Sequence, residues 1–159
     1  MRGNENVLTE LNKALQAELM AILQYIVHAE MQNNWGYGAL GAYTKKQAID
    51  EMRHAERLIE RILFLDGTPQ MEAFPRPNIG ANVKAMLEND LAAEVDAVRQ
   101  YNDAVQVCVA AGDSASREMF EKMVVDEEKH ADHLEAQLDL IRDVGLPNYL
   151  ARKMGAEGK

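Results

Sequence analysis

Apolar residues recur at three- and four-residue steps through most of this chain, and the rhythm breaks in four places. From about Asn6 to Asn34, the residues Leu8, Leu11, Ala14, Leu15, Ile22 and Tyr25 fall on one side of a helix. Asn33, Asn34 and Gly36 end that segment, and a second helix is predicted from about Ala39 to Leu65. Asp66-Gly67-Thr68-Pro69 stops it. The stretch from Gly67 to Asn82 holds Pro69, Pro75, Pro77 and Gly80, which excludes regular helix there. A third helix is expected from Val83 to Ala111, closed by Gly112. Asp113 or Ser114 can cap a fourth, which runs to about Val144. Gly145 terminates that helix, and Pro147 suits the first position of a short fifth helix reaching about Met154.

Connection lengths set the topology. Short turns join helices one to two and three to four, so each pair runs antiparallel. The join between helices two and three is about 16 residues, long enough to cross the length of a bundle whose helices are roughly 40–46 Å long. The expectation is an all-α four-helix bundle with one long crossover and a short fifth helix, formed by residues 1–159 as a single domain.

Composition narrows the function. Only 6% of residues are aromatic, Pro is scarce, and the formal charge is −9. Helices are favoured over a sandwich or barrel, and nucleic acid is excluded as a partner because phosphate binding needs a basic face. Cys108 is alone, which rules out an intrachain disulfide or a Cys-x-x-Cys metal site. Met1 to Val7 lacks an apolar signal core, and no run approaches the ~20 apolar residues of a membrane span. A soluble cytoplasmic protein is expected.

The candidate chemistry is written twice. Glu51 with His54 and Glu127 with His130 are two Glu-x-x-His motifs, 76 positions apart (127 less 51). Each has a lone glutamate 33 positions upstream, Glu18 and Glu94. The offset extends to Tyr25 and Tyr101, Asp50 and Asp126, and Ala55 and Ala131. Residues three apart project from one side of a helix, so each Glu-x-x-His can close on one ion. The lone glutamates lie on the antiparallel neighbours, so all six groups can meet near mid-bundle. Four carboxylates buried together are intolerable without cations. Two divalent ions balance them with both imidazoles neutral, and the mixed oxygen and nitrogen set suits iron, manganese or zinc. A single Glu-x-x-His is often an ordinary helical ion pair; two at a constant offset, each with its upstream Glu, are not.

Neighbouring residues take lesser roles. Tyr25 and Tyr101 each follow a lone glutamate by seven positions, nearly two turns, so either hydroxyl can hydrogen-bond a liganding carboxylate. Asp50 and Asp126 project about 100° from the motif glutamates and read as a solvated face, with a secondary iron contact open to Asp50. His28 and His133 lack the motif and read as packing or surface residues, and Cys108 as a small core residue. Met52 points away from His54, on a side shared with Ile49, Arg53, Glu56 and Ile59. With the stripe Leu19, Leu23 and Ile26 on helix one, it suggests an oligomer interface.

Glu18, Gln24-Tyr25, Asn34-Trp35-Gly36, Ile49-Asp50-Glu51-Met52-Arg53-His54-Ala55, Ile59 to Leu65, Asn78-Ile79-Gly80, Asp126 to His130 and Gly145 to Leu150 resemble the bacterioferritin family over essentially the whole chain. The two-metal constellation is the one described for ferritin-like di-iron bundles. The resemblance implies a ferritin-like fold and a shell of 24 subunits for iron storage and detoxification. It implies a ferroxidase that oxidises Fe(II) with O2 or peroxide. One iron would take Glu18 and His54 and the other Glu94 and His130, with Glu51 and Glu127 bridging and Tyr25 beside them. Met52 matches the position that ligates haem b across a two-fold axis, and a [2Fe-2S] ferredoxin is the implied partner in iron release. Lys46 departs from the family, standing where many relatives carry a His that binds iron near Asp50. A rubrerythrin-like peroxidase and a non-catalytic haem or metal bundle are the competing functions; the absence of Cys-x-x-Cys counts against the first.

Overall fold

The computed structural model describes residues 1–73 and 75–155, and they form five helices. These are α1 (Glu5–Asn34), α2 (Gly38–Phe64), α3 (Val83–Ala111), α4 (Ser114–Val144) and α5 (Leu146–Arg152). Helix boundaries match the periodicity to within two residues. Asn4, Asn82 and Asp113 cap α1, α3 and α4 by accepting backbone N–H groups with their side chains. Gly112 closes α3 in the left-handed region at φ +70, where a side chain would be strained. No described helix is long and apolar enough to cross a membrane.

α1 packs along α2 and α3 along α4, and the two hairpins meet chiefly through α1 and α3; α2 and α4 barely touch. The hydrogen bonds Tyr101 to Glu18 and Tyr25 to Glu94 show that α1 and α3 run antiparallel. The described residues between Leu65 and Asn82 run beside α1. Gln70 N–H donates to Asn12 at 2.8 Å, Asn78 N–H to Gln24 at 2.9 Å and Gly80 N–H to His28 at 3.0 Å. From Asn12 to His28 is about 24 Å of helix, so this segment is the predicted crossover. Gly80 is required at its end, since a Cβ there would lie 2.4 Å from the backbone nitrogen of Met86.

His28 is therefore a structural pin rather than a simple packing residue. It is fully buried, and its Nδ1 lies 2.9 Å from Asp90 Oδ1. Because Nε2 accepts from Gly80, the ring proton sits on Nδ1 and faces Asp90. Asp90 also accepts from Gln24 at 2.8 Å. Burial still holds its carboxyl above the ordinary value, against the lowering effect of His28 and Gln24.

The core is divided. One apolar cluster, including Leu11, Leu15, Leu58, Ile62, Phe120 and Met123, fills one end of the bundle. A second, including Leu40, Val83, Leu87, Leu134, Ile141 and Tyr149, fills the other and docks α5. Each buried Leu or Ile contributes about 1.5–3 kcal/mol. α2, α3 and α4 pass from one cluster to the other, α1 contributes to the first alone, and a layer of buried polar side chains lies between the two.

Candidate metal centre

That polar layer holds all six residues marked by the doubled motif. Glu18 comes from α1, Glu51 and His54 from α2, Glu94 from α3, and Glu127 and His130 from α4. Apolar packing on both sides fixes α2, α3 and α4, and the first cluster fixes α1, so the six side chains are held in place by packing rather than by each other. The four glutamates are each at most 2% exposed.

Two four-residue groups emerge: Glu18, Glu51, His54 and Glu127, and Glu51, Glu94, Glu127 and His130. Glu51 and Glu127 belong to both. Within each group the donor atoms lie within 4.8 Å of one another, close to the ~4 Å diameter of a coordination sphere with ligands about 2.1 Å from the ion. Adding the 76-residue offset to the first group, and taking it back from members already in the second half, gives the second group. The site is thus built around an approximate two-fold relating the hairpins.

The contacts repeat reciprocally. His54 Nδ1 lies 3.0 Å from Glu127, 3.3 Å from Glu51 and 3.5 Å from Glu18. His130 Nδ1 lies 2.8 Å from Glu51, 3.4 Å from Glu94 and 3.9 Å from Glu127. Tyr25 donates to Glu94, and Tyr101 donates to Glu18 at 2.5 Å. Both tyrosines engage liganding carboxylates, but each holds the glutamate of the other hairpin rather than its own.

The aspartates correct the expectation of a solvated face. Asp126 Oδ2 is 2.9 Å from His54 Nε2, and Asp50 Oδ2 is 3.8 Å from His130 Nε2. An aspartate on Nε2 draws the ring proton there and leaves the Nδ1 lone pair for a metal. Their place in the 76-residue repeat was the available signal; their direction across the α2–α4 gap was not. His133 is half-buried and stacks on Tyr43 with ring centroids 4.0 Å apart, and Cys108 is buried in the first apolar cluster.

Electrostatics follow from crowding. Burial, and then the Glu18 charge, push the Glu51 and Glu127 carboxyls well above the usual range. Glu94 is also pushed up by burial, but hydrogen bonds with Glu127 and His130 outweigh this and hold it low. Burial lowers His54, yet its bonds to Glu127, Glu18 and Glu51 raise it overall. His130 is raised likewise, chiefly by Glu94. Burial and the adjoining glutamates keep both tyrosines protonated. The raised carboxyls and imidazoles favour retaining protons, which a metal ion held here would have to displace.

Two openings reach the centre. A cavity of ≈ 140 Å³ between α1 and α3 is walled by Ala17, Ala21, Ala93 and Ala97 and touches Glu18, Glu94 and Glu127. A larger cleft of ≈ 370 Å³ lies where α2 and α4 diverge, lined by His54 and His130. Met52 is far from both chemically, on the outer face of α2 and 46% exposed. Ile49, Arg53 and Glu56 share that exposure, whereas Ile59 packs on the core. The Thr44–Gln32 hydrogen bond sets the α1–α2 register and brings Met52 level with exposed Leu23.

Comparison with known proteins agrees with this geometry. A ferritin-like domain family matches residues 8–144. A bacterioferritin from Brucella melitensis is 41% identical over 149 residues, covering 94% of this chain and 92% of the relative. Bacterioferritins from Mycobacterium bovis and Rhodobacter capsulatus are also 41% identical, over 96% and 91% of this chain and 96% and 90% of their own lengths. With its helical topology and doubled carboxylate–imidazole centre, the chain belongs to the bacterioferritin family of ferritin-like proteins.

Proposed function

We propose that this chain is the subunit of a cytoplasmic iron-storage protein and that its six-residue centre is a ferroxidase site. The observation that carries the proposal is the sharing of Glu51 and Glu127 between two otherwise separate ligand groups, because shared carboxylates hold two ions close enough to give up electrons together. Iron is the substrate. Glu18 and His54 hold one Fe(II), Glu94 and His130 the other, and Glu51 and Glu127 bridge them. Two Fe(II) become two Fe(III), and the two electrons with two protons reduce O2 to H2O2, or H2O2 to two waters. The alanine-walled cavity offers Fe(II) a path to three of the glutamates. Tyr25 orients Glu94 by hydrogen bonding and stands as an oxidisable phenol beside the reacting iron.

The resemblance to bacterioferritins implies haem b and a 24-subunit shell for mineral storage, and we extend both to this chain. The exposed Met52 thioether beside Leu23 and Ile49 fits one half of an apolar haem site, completed by a second copy. Bound haem supplies electron transfer for reductive iron release, with a [2Fe-2S] ferredoxin as donor. The test is anaerobic Fe(II) titration followed by O2, with assembly mass and haem absorbance measured on one sample. Two irons oxidised per chain in a cage of 24 copies of 17.8 kDa, about 430 kDa, is the expected result. A chain that binds no Fe(II) overturns the proposal.

A further inference from the structure

The cleft between α2 and α4 carries the opposite charge from the rest of the molecule. Lys46, Arg53, Arg57 and Lys129 line it against two carboxylates, Asp50 and Asp126. Both carboxylates are committed. Asp126 faces His54 at 2.9 Å, and Asp50 lies 3.5 Å from Arg53 and 3.8 Å from His130. Lys46, Arg57 and Lys129 form no ion pair among the described residues. In a chain of formal charge −9, three unpaired cations around one concavity are unusual, and they repel one another until an anion enters. Gln47, buried in the same wall, has a side-chain oxygen without a hydrogen-bond partner.

We propose that this cleft binds a tetrahedral oxyanion of the phosphate class, held by Lys46, Arg57 and Lys129. A volume of ≈ 370 Å³ admits such an ion with its waters. Hydrogenphosphate carries two negative charges and several acceptor oxygens, which suits one guanidinium fork and two ammonium groups better than a single carboxylate does. A free metal cation is disfavoured by the same three residues. The consequence for iron rests on the ferroxidase reading: Fe(III) is a hard ion that favours anionic oxygen, so an oxyanion beside His54 and His130 gives oxidised iron an exit on the cleft side.

Binding is tested first without iron. Apoprotein is titrated with inorganic phosphate by calorimetry at low ionic strength, where surface electrostatics are least screened. About one phosphate per chain is expected in the parent. The Lys46→Gln/Lys129→Gln double variant, with exposed sites and an unchanged helical spectrum as the control for folding, should bind at least about ten-fold more weakly. Arg57→Lys keeps the charge but loses the fork, and should fall between. No binding in the parent, or equal affinity in the double variant, overturns the proposal. In a second arm, parent protein turns over successive pairs of Fe(II) in air with and without phosphate. Faster recovery of the site for the second pair is expected with phosphate, in the parent but not the double variant; equal recovery overturns the exit role. Phosphate binding without any iron oxidation would sink the ferroxidase reading and leave the anion site standing; iron oxidation without phosphate binding would do the reverse.

Discussion

Replacing Glu127 by Gln should strengthen the metal-free protein and disable both metal positions at once. Glu127 is 2% exposed, and burial with the Glu18 charge raises its carboxyl well above the usual range. The folded state therefore keeps this proton to higher pH than the unfolded chain, whose value is about 4.3. The group's contribution is most favourable at low pH and is lost as pH rises from that value towards the folded one, at about 1.4 kcal/mol per pH unit. Gln resembles the protonated carboxyl in size and has no charge to desolvate. For each pH unit that lies between the unfolded and folded values the apo variant should gain about 1.4 kcal/mol on the apo parent, or about 3–6 °C in melting temperature for a chain of this size. Glu51 keeps its own raised value, so the variant still loses stability with pH, less steeply. Calorimetric melts of apoprotein across that range measure the effect. Metal titration then separates the two functions of the residue: because Glu127 serves both ligand groups, binding at both should weaken, whereas Glu18→Gln should weaken only the His54 group. An apo variant less stable than the parent at pH 7 would refute the charge argument. Loss of only one metal position would refute the sharing.

The crossed hydrogen bonds make a similar separation. Tyr25→Phe should weaken metal binding at the Glu94–His130 position, and Tyr101→Phe at the Glu18–His54 position, each by about ten-fold, as seen in stepwise Zn(II) or Fe(II) titration. Asp126→Asn should reduce affinity at His54 more than Asp50→Asn does at His130, because the first contact is 2.9 Å and the second 3.8 Å; equal effects would argue against orientation through Nε2. Asp113 caps α4 and accepts from Arg61 Nη2 at 2.8 Å. Burial raises its carboxyl, but the Ser116 hydrogen bonds and Arg61 outweigh it and hold it low. Its stabilisation is present above the unfolded value of about 3.9 and is lost as pH falls through the folded one. Asp113→Ala should cost about 1–2 kcal/mol at pH 7 by denaturant melts, and less at pH 3.

Much of this protein could be read from spacing alone. Helix limits follow from periodicity, Asn and Asp caps and Gly stops, all of which act within a few residues. The candidate set Glu18, Glu51, His54, Glu94, Glu127 and His130 was legible because a metal site would need its groups at fixed helical intervals and the chain repeats the interval. What spacing does not carry is direction across a gap between helices. That Tyr25 bonds Glu94 and not Glu18, that Asp126 meets His54, and that His28 pins the crossover through Gly80 depend on how the hairpins dock. Lys46 stands out in the sequence only as a departure from the family; that it shares a cleft with Arg57 and Lys129 follows from the divergence of α2 and α4. The sequence determined the helices and the candidate carboxylate–imidazole set through local geometry. The tertiary structure decided which groups face one another, which carboxylates belong to both groups, and where charge accumulates, because those properties arise between helices from the packing of two separate apolar clusters.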